Sequence, residues 1–195
     1  MTKNRFLNTR TLTLASIMTA LVIVFQGIAS FIPGILGPFN TAVALVPIAI
    51  GAALCGPIIG AWLGLVFALV VLFTGGATFF MQYDPFATML IVVAKGMLCG
   101  FCSGLVYRAL RKVNGIFATV MAALACPLAN TTVFLVGGMA FLTDNLMQLT
   151  GESGFKAAIS FFWGLAMANF FFEVALCLVL SPVIIKLINI RKRMN

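Results

Sequence analysis

Six polar residues lie inside the long apolar runs of this 195-residue chain: Lys95, Asn130, Thr131, Thr132, Asn169 and Glu173. A charge or an amide at membrane depth is expensive, so such a residue marks a ligand, ion or proton site by default. These types suit binding better than bond breaking. The chain has no histidine, so no Ser-His or Cys-His nucleophile can form. Asp144 and Glu152 share one loop, while Glu173 stands alone in its run. No glycine-rich loop ends in the Gly-Lys-Ser/Thr that cradles phosphate. Cys99-x-x-Cys102 has the spacing of a redox or metal pair, but no second cysteine pair supplies further ligands. The five cysteines Cys55, Cys99, Cys102, Cys126 and Cys177 all sit among apolar residues, which argues for helix contacts and against a disulfide framework.

Each polar residue has two uses to weigh. Lys95 lies nine residues into its span, about 13.5 Å along a helix at 1.5 Å per residue. At that depth it either pairs with Glu173 or meets an anionic ligand in a wet cavity. Asn130-Thr131-Thr132 follows Pro127, whose ring removes a backbone donor. The threonine hydroxyls can satisfy local carbonyls, whereas the Asn130 amide needs several partners. Asn169 and Glu173 are four apart and share a helix face, which Phe162 and Ala166 extend outward. These groups are expected to converge in the outer half of a bundle. Two loops mix aromatics with amides, as a small-molecule site does: Pro38-Phe39-Asn40-Thr41, and Thr78 to Asp84 with Gln82 and Tyr83.

The elements that must hold these residues are membrane spans. The chain is 63% hydrophobic and 8% charged, far from the roughly 25% charged residues of a soluble domain. Its length allows about six spans of ~20 residues. Proline and glycine punctuation places them at residues 11–31, 40–54, 58–74, 86–110, 116–141 and 157–188 of a single membrane domain, 1–195. The first run is longer than a signal-peptide core and is expected to be retained. Basic residues fall in three groups: Lys3, Arg5 and Arg10; Arg108, Arg111 and Lys112; Lys186, Arg191, Lys192 and Arg193. With six spans all three lie on one side, which the positive-inside rule makes cytoplasmic. The expected fold is an all-α integral membrane protein, a six-transmembrane-helix bundle with both termini cytoplasmic. The same clustering explains the net charge of +8 without nucleic acid.

Small residues recur at four-residue spacing in three places: Gly56, Gly60 and Gly64; Gly96, Gly100 and Gly104; and the overlapping pairs Ala15/Thr19 and Ser16/Ala20. Such ladders let helix backbones approach closely, either within the bundle or against a partner's helices.

With these residues in view, the chain resembles the substrate-binding S components of energy-coupling factor (ECF) vitamin transporters. The resemblance is carried by Ala15-Ser16-Ile17-Met18-Thr19-Ala20-Leu21, by Ala44-Leu45-Val46-Pro47 leading into Gly56-Pro57-Ile58-Ile59-Gly60-Ala61, by Lys95-Gly96 and by Cys126-Pro127-Leu128-Ala129-Asn130-Thr131-Thr132. It implies a bacterial plasma-membrane capture subunit for a small water-soluble vitamin. It implies no cofactor on this chain, and partners comprising a scaffold membrane subunit and two ABC-type ATPases that use ATP and Mg. Docking to the scaffold falls on Ala15, Ser16, Thr19 and Ala20, where the family's Ala-x-x-x-Ala reads Ala15-x-x-x-Thr19 and Ser16-x-x-x-Ala20. The chain looks most like pantothenate-type members. Lys95 would meet the carboxylate and Asn130, Asn169 and Gln82 the polar groups, with Glu173, Thr131, Tyr83 and Asn40 nearby. Riboflavin, pyridoxine, folate and cobalamin are alternative substrates. A self-contained ion-coupled carrier or channel using Lys95 and Glu173 is the competing function, and a small membrane enzyme the third.

Overall fold

Glycine and proline decide where the helices stop. In the computed structural model, residues 9–31, 42–82, 84–141, 160, 163–164, 166–167, 169–179 and 186 are described. Helix α1 is Thr9–Phe31. Helix α2, Ala42–Cys55, ends at Gly56, whose φ of +101° only glycine adopts without strain, and Pro57 opens α3, Pro57–Phe73. After α3 the sequence predicts an open loop from Gly75 to Pro85. The chain instead inserts a single helical turn, α4, Thr78–Met81. Asp84 then caps α5, Pro85–Leu110, its Oδ1 accepting from the Ala87 amide at 3.0 Å with Pro85 in the first turn. Asn114 caps α6, Gly115–Phe141, in the same way, accepting from Ile116 N at 2.9 Å. Helix α7 is Asn169–Val179.

Length and apolarity let three of these cross a membrane: α1 through Thr11–Ser30, α5 and α6. Helices α2, α3 and α7 are apolar but shorter; α2, at about 1.5 Å per residue, reaches only ~21 Å. Every residue from Ala44 to Ala53 is buried, because α2 touches α1, α3, α5 and α6 together. A helix enclosed on all sides is apolar all round.

The α3–α5 contact is a glycine seam. Gly64 lies against Gly96, Gly60 against Gly100, and Gly104 against Pro57, so the helices run antiparallel with their backbones touching. The two ladders therefore pack on each other. Five of the six ladder glycines lie in this contact, while a Cβ on Gly56 would meet nothing within 4 Å. Ser103 ties α5 to α6 by donating to Ala122 O at 2.8 Å, near the turn where Pro127 removes a backbone donor.

The outward faces are apolar: Ile17, Val24 and Ile28 on α1, Trp62 on α3, Leu128 and Val136 on α6 are all exposed. That is the surface of a helix bundle solvated by lipid. The end of the bundle holding the α2–α3 turn also holds the start of α1, where Cys55 Sγ lies 3.9 Å from Thr11 O. Arg108, Arg111 and Lys112 are exposed at that same end, where α5 gives way to α6.

Candidate binding site

Glu173 is the centre of the buried polar layer. It is 0% exposed on α7, and two carboxamides converge on it. Asn130 Nδ2 of α6 donates to Glu173 Oε1 at 3.2 Å and lies 3.4 Å from Oε2. Asn169 Nδ2, one turn earlier on α7, donates to Oε1 at 2.8 Å. A buried carboxylate needs such donors to offset its lost hydration. The spacing of Asn169 and Glu173 supplies one donor locally, and α6 supplies the other.

Lys95 comes to this layer from α5 but does not pair at contact distance with Glu173. Its ammonium lies over the ring of Phe134, 5.4 Å from the centroid. Among the described residues that ring face is its one direct partner. Phe134 is four residues beyond Asn130, on the same face of α6. The Phe80 ring of α4 meets Phe134 edge-on at 5.5 Å, and Phe79 stacks edge-on against Phe80 at 5.2 Å. The aromatic chain thus runs from Lys95 to the α4 turn. A cation on a ring face gains about 0.5–2 kcal/mol, but the ring accepts no conventional hydrogen bond.

Two amide oxygens in the layer accept no hydrogen bond, Asn130 Oδ1 and Asn169 Oδ1. Asn130 is 2% exposed. The arrangement therefore offers an ammonium rich in donors, over a ring one helical turn from Asn130, and amide oxygens without a donor. Chemically it can hold a polar molecule; it contains no activated nucleophile.

The remaining sequence-predicted residues are distributed unevenly. Thr131 is buried beside Asn130, while Thr132 is exposed and returns its hydroxyl to Leu128 O at 2.8 Å, the local role foreseen for it. Gln82 is exposed at the end of α4. Tyr83 and Asn40 lie outside the described residues, as does Phe162. On α1, Ala15 is buried, Thr19 half-buried, and Ser16 and Ala20 exposed. The two small-residue pairs thus differ: Ala15/Thr19 turn toward the bundle, Ser16/Ala20 outward. The hydroxyls of Ser16 and Thr19 fold back on Leu12 O and Ala15 O at 3.0 and 2.8 Å, which keeps the helix surface smooth.

Phe134, Gln26 and Thr88 escape a reading based on motifs. Phe134 is one of 19 phenylalanines, and only its i+4 offset from Asn130 singles it out. Gln26 is fully buried in α1, donating to Ser30 Oγ at 3.3 Å, and Ser30 Oγ lies 2.9 Å from Thr74 Oγ1 of α3. The rule that flagged Asn130 applies equally to Gln26. Thr88 is buried two turns outward of Lys95.

Several apolar helices around a buried polar layer define a multi-pass membrane protein. The model of the family described as ECF transporter, substrate-specific component matches residues 10–185, and the chain belongs to that family. It is accordingly a substrate-binding subunit of an ECF importer, a transporter subunit and not an enzyme, with a small-molecule substrate and an ECF module for partner. No curated protein and no solved structure matches the chain.

Proposed function

We propose that this subunit captures a small acidic vitamin, pantothenate before riboflavin, pyridoxine, folate or cobalamin, at the layer formed by Lys95, Asn130, Asn169 and Glu173. The observation that carries the reading is the Lys95 ammonium. It sits on a ring face while Glu173 is held by amides, so the lysine's donors are available to a carboxylate. Thr131 adjoins the layer, and Gln82, Tyr83 and Asn40 are assigned as further ligand contacts. The chain crosses the bacterial plasma membrane six times with both termini cytoplasmic. It delivers its ligand to a scaffold subunit driven by two ABC-type ATPases, which hold the ATP and Mg.

Mass spectrometry of small molecules released from the detergent-purified chain tests this directly. A B vitamin at close to one per chain is the expected result, and Lys95→Met should weaken an anionic one by roughly 100-fold or more while the protein stays folded. An empty protein that binds none of these vitamins overturns the capture reading in favour of the ion-coupled carrier.

Docking to the scaffold rests on the outward face of α1, where Ser16 and Ala20 are exposed and a Cβ on Gly27 would meet nothing within 4 Å. Ala20→Trp should leave ligand binding by the isolated chain within about twofold yet cut vitamin uptake in cells at least ~10-fold, since packed helix contacts tolerate overpacking poorly. Uptake at the wild-type rate would place the contact elsewhere.

A further inference from the structure

We infer that the site selects an acid that also carries an N–H or O–H donor, the anionic group meeting Lys95 and the donor meeting Asn130 Oδ1. The inference rests on the capture reading and narrows it to a chemical class. Two groups of opposite hydrogen-bonding sense carry it. Lys95 contributes an ammonium whose direct partner among the described residues is the Phe134 ring. Asn130 contributes an Oδ1 that accepts nothing, on a residue 2% exposed.

Phe134 and Asn130 share a face of α6, and Lys95 lies against Phe134. The orientation of Asn130 is fixed from behind. Its Nδ2 is drawn to Glu173, so its carbonyl oxygen must point the other way. Glu173 therefore acts as a positioning residue: it sets which end of the amide the ligand meets. An uncharged ligand would leave Lys95 unanswered, and a cation would be repelled by it. An acid without a donor would bury Asn130 Oδ1 unpaired, a loss that hydrogen-bonding sites register strongly.

The test varies the ligand, so it survives any failure of a variant to fold. The purified full chain is titrated with pantothenate, folate, riboflavin, pyridoxine and cobalamin. Any acid that binds is then compared with its uncharged alcohol or amide, and with derivatives methylated at each N–H or O–H. The expected result is that an acid binds, that neutralising it weakens Kd by ~100-fold or more, and that methylating one donor weakens Kd by ~10-fold or more. In Lys95→Met the acid and its uncharged derivative should bind alike. Tight binding of riboflavin or pyridoxine, unaffected by Lys95→Met, overturns the inference and leaves the capture reading standing. An acid whose neutral or methylated derivatives bind as well also overturns it. Failure of all five ligands to bind sinks both.

Discussion

Gly64→Leu is expected to abolish the folded protein. The yield of monodisperse chain after detergent extraction should fall to background, with no thermal transition in what remains. At this position α3 and α5 meet backbone to backbone. A Cβ on Gly64 would run into the carbonyl of Gly96, and one on Gly60 would stand 2.7 Å from Ala52 Cβ and 2.9 Å from Gly100 C. Overpacked side chains relax at about 1–3 kcal/mol, but a carbonyl within a helix cannot turn aside. The helices would have to part along the whole seam. In lipid, helix association depends on close van der Waals contact rather than on hydrophobic burial. A loss of about 3 kcal/mol or more is then a large share of a total near 5–15 kcal/mol. Gly27→Ala is the matched control. Nothing lies within 4 Å of its added methyl, and alanine favours the helix by up to ~1 kcal/mol, so the melting temperature should hold or rise. A Gly64→Leu protein that melts like wild type would show that the seam is not what holds α3 to α5.

The seam also shows what a sequence gives and withholds. Four-residue spacing is legible and puts the glycines of each ladder on one face. Which face meets which is a property of two helices at once, so spacing alone left partner docking open. Helix ends were legible where a single residue dictates them, as at Gly56-Pro57, Asp84-Pro85 and Asn114. The turn α4 was not, because Thr78-Phe79-Phe80-Met81 carries no periodicity long enough to read; its aromatics belong to a stack completed by Phe134 from a distant helix. Within the polar layer, Asn169 and Glu173 could be joined by counting to four. The choice between a Lys95–Glu173 pair and a separated arrangement could not be made that way. It depends on Asn130 reaching Glu173 across the α6–α7 contact, a tertiary fact. On α1 the sequence pairs Ala15/Thr19 and Ser16/Ala20 look equivalent. Only the packing of Ala15, Met18 and Val22 inward decides that Ser16 and Ala20 face out.

Asn130→Leu should be among the most damaging single changes, and more damaging than removing the carboxylate along with it. Leucine fits the volume but withdraws the donor held 3.2 Å from Glu173 Oε1, so a carboxylate that is 0% exposed loses one of its two asparagine donors. Removing one hydrogen-bond donor from a buried charged group costs about 1.5–3 kcal/mol, whereas replacing both sides of a buried charged contact by apolar groups is often near neutral. For a chain of this size that loss corresponds to a fall in melting temperature of up to about 10 °C. The double variant Asn130→Leu with Glu173→Leu should recover at least about half of the loss. Recovery stops short of complete because Asn169 Nδ2, 2.8 Å from the same oxygen, then loses an acceptor. Glu173→Gln should sit between wild type and Asn130→Leu: the amide still accepts through its oxygen, but its new NH2 opposes one of the two asparagine donors. The order of melting temperatures follows from which group is left unanswered. If the double variant instead loses the sum of the two single losses, Asn130 and Glu173 act independently, and the polar layer is not the coupled unit on which the proposed recognition depends.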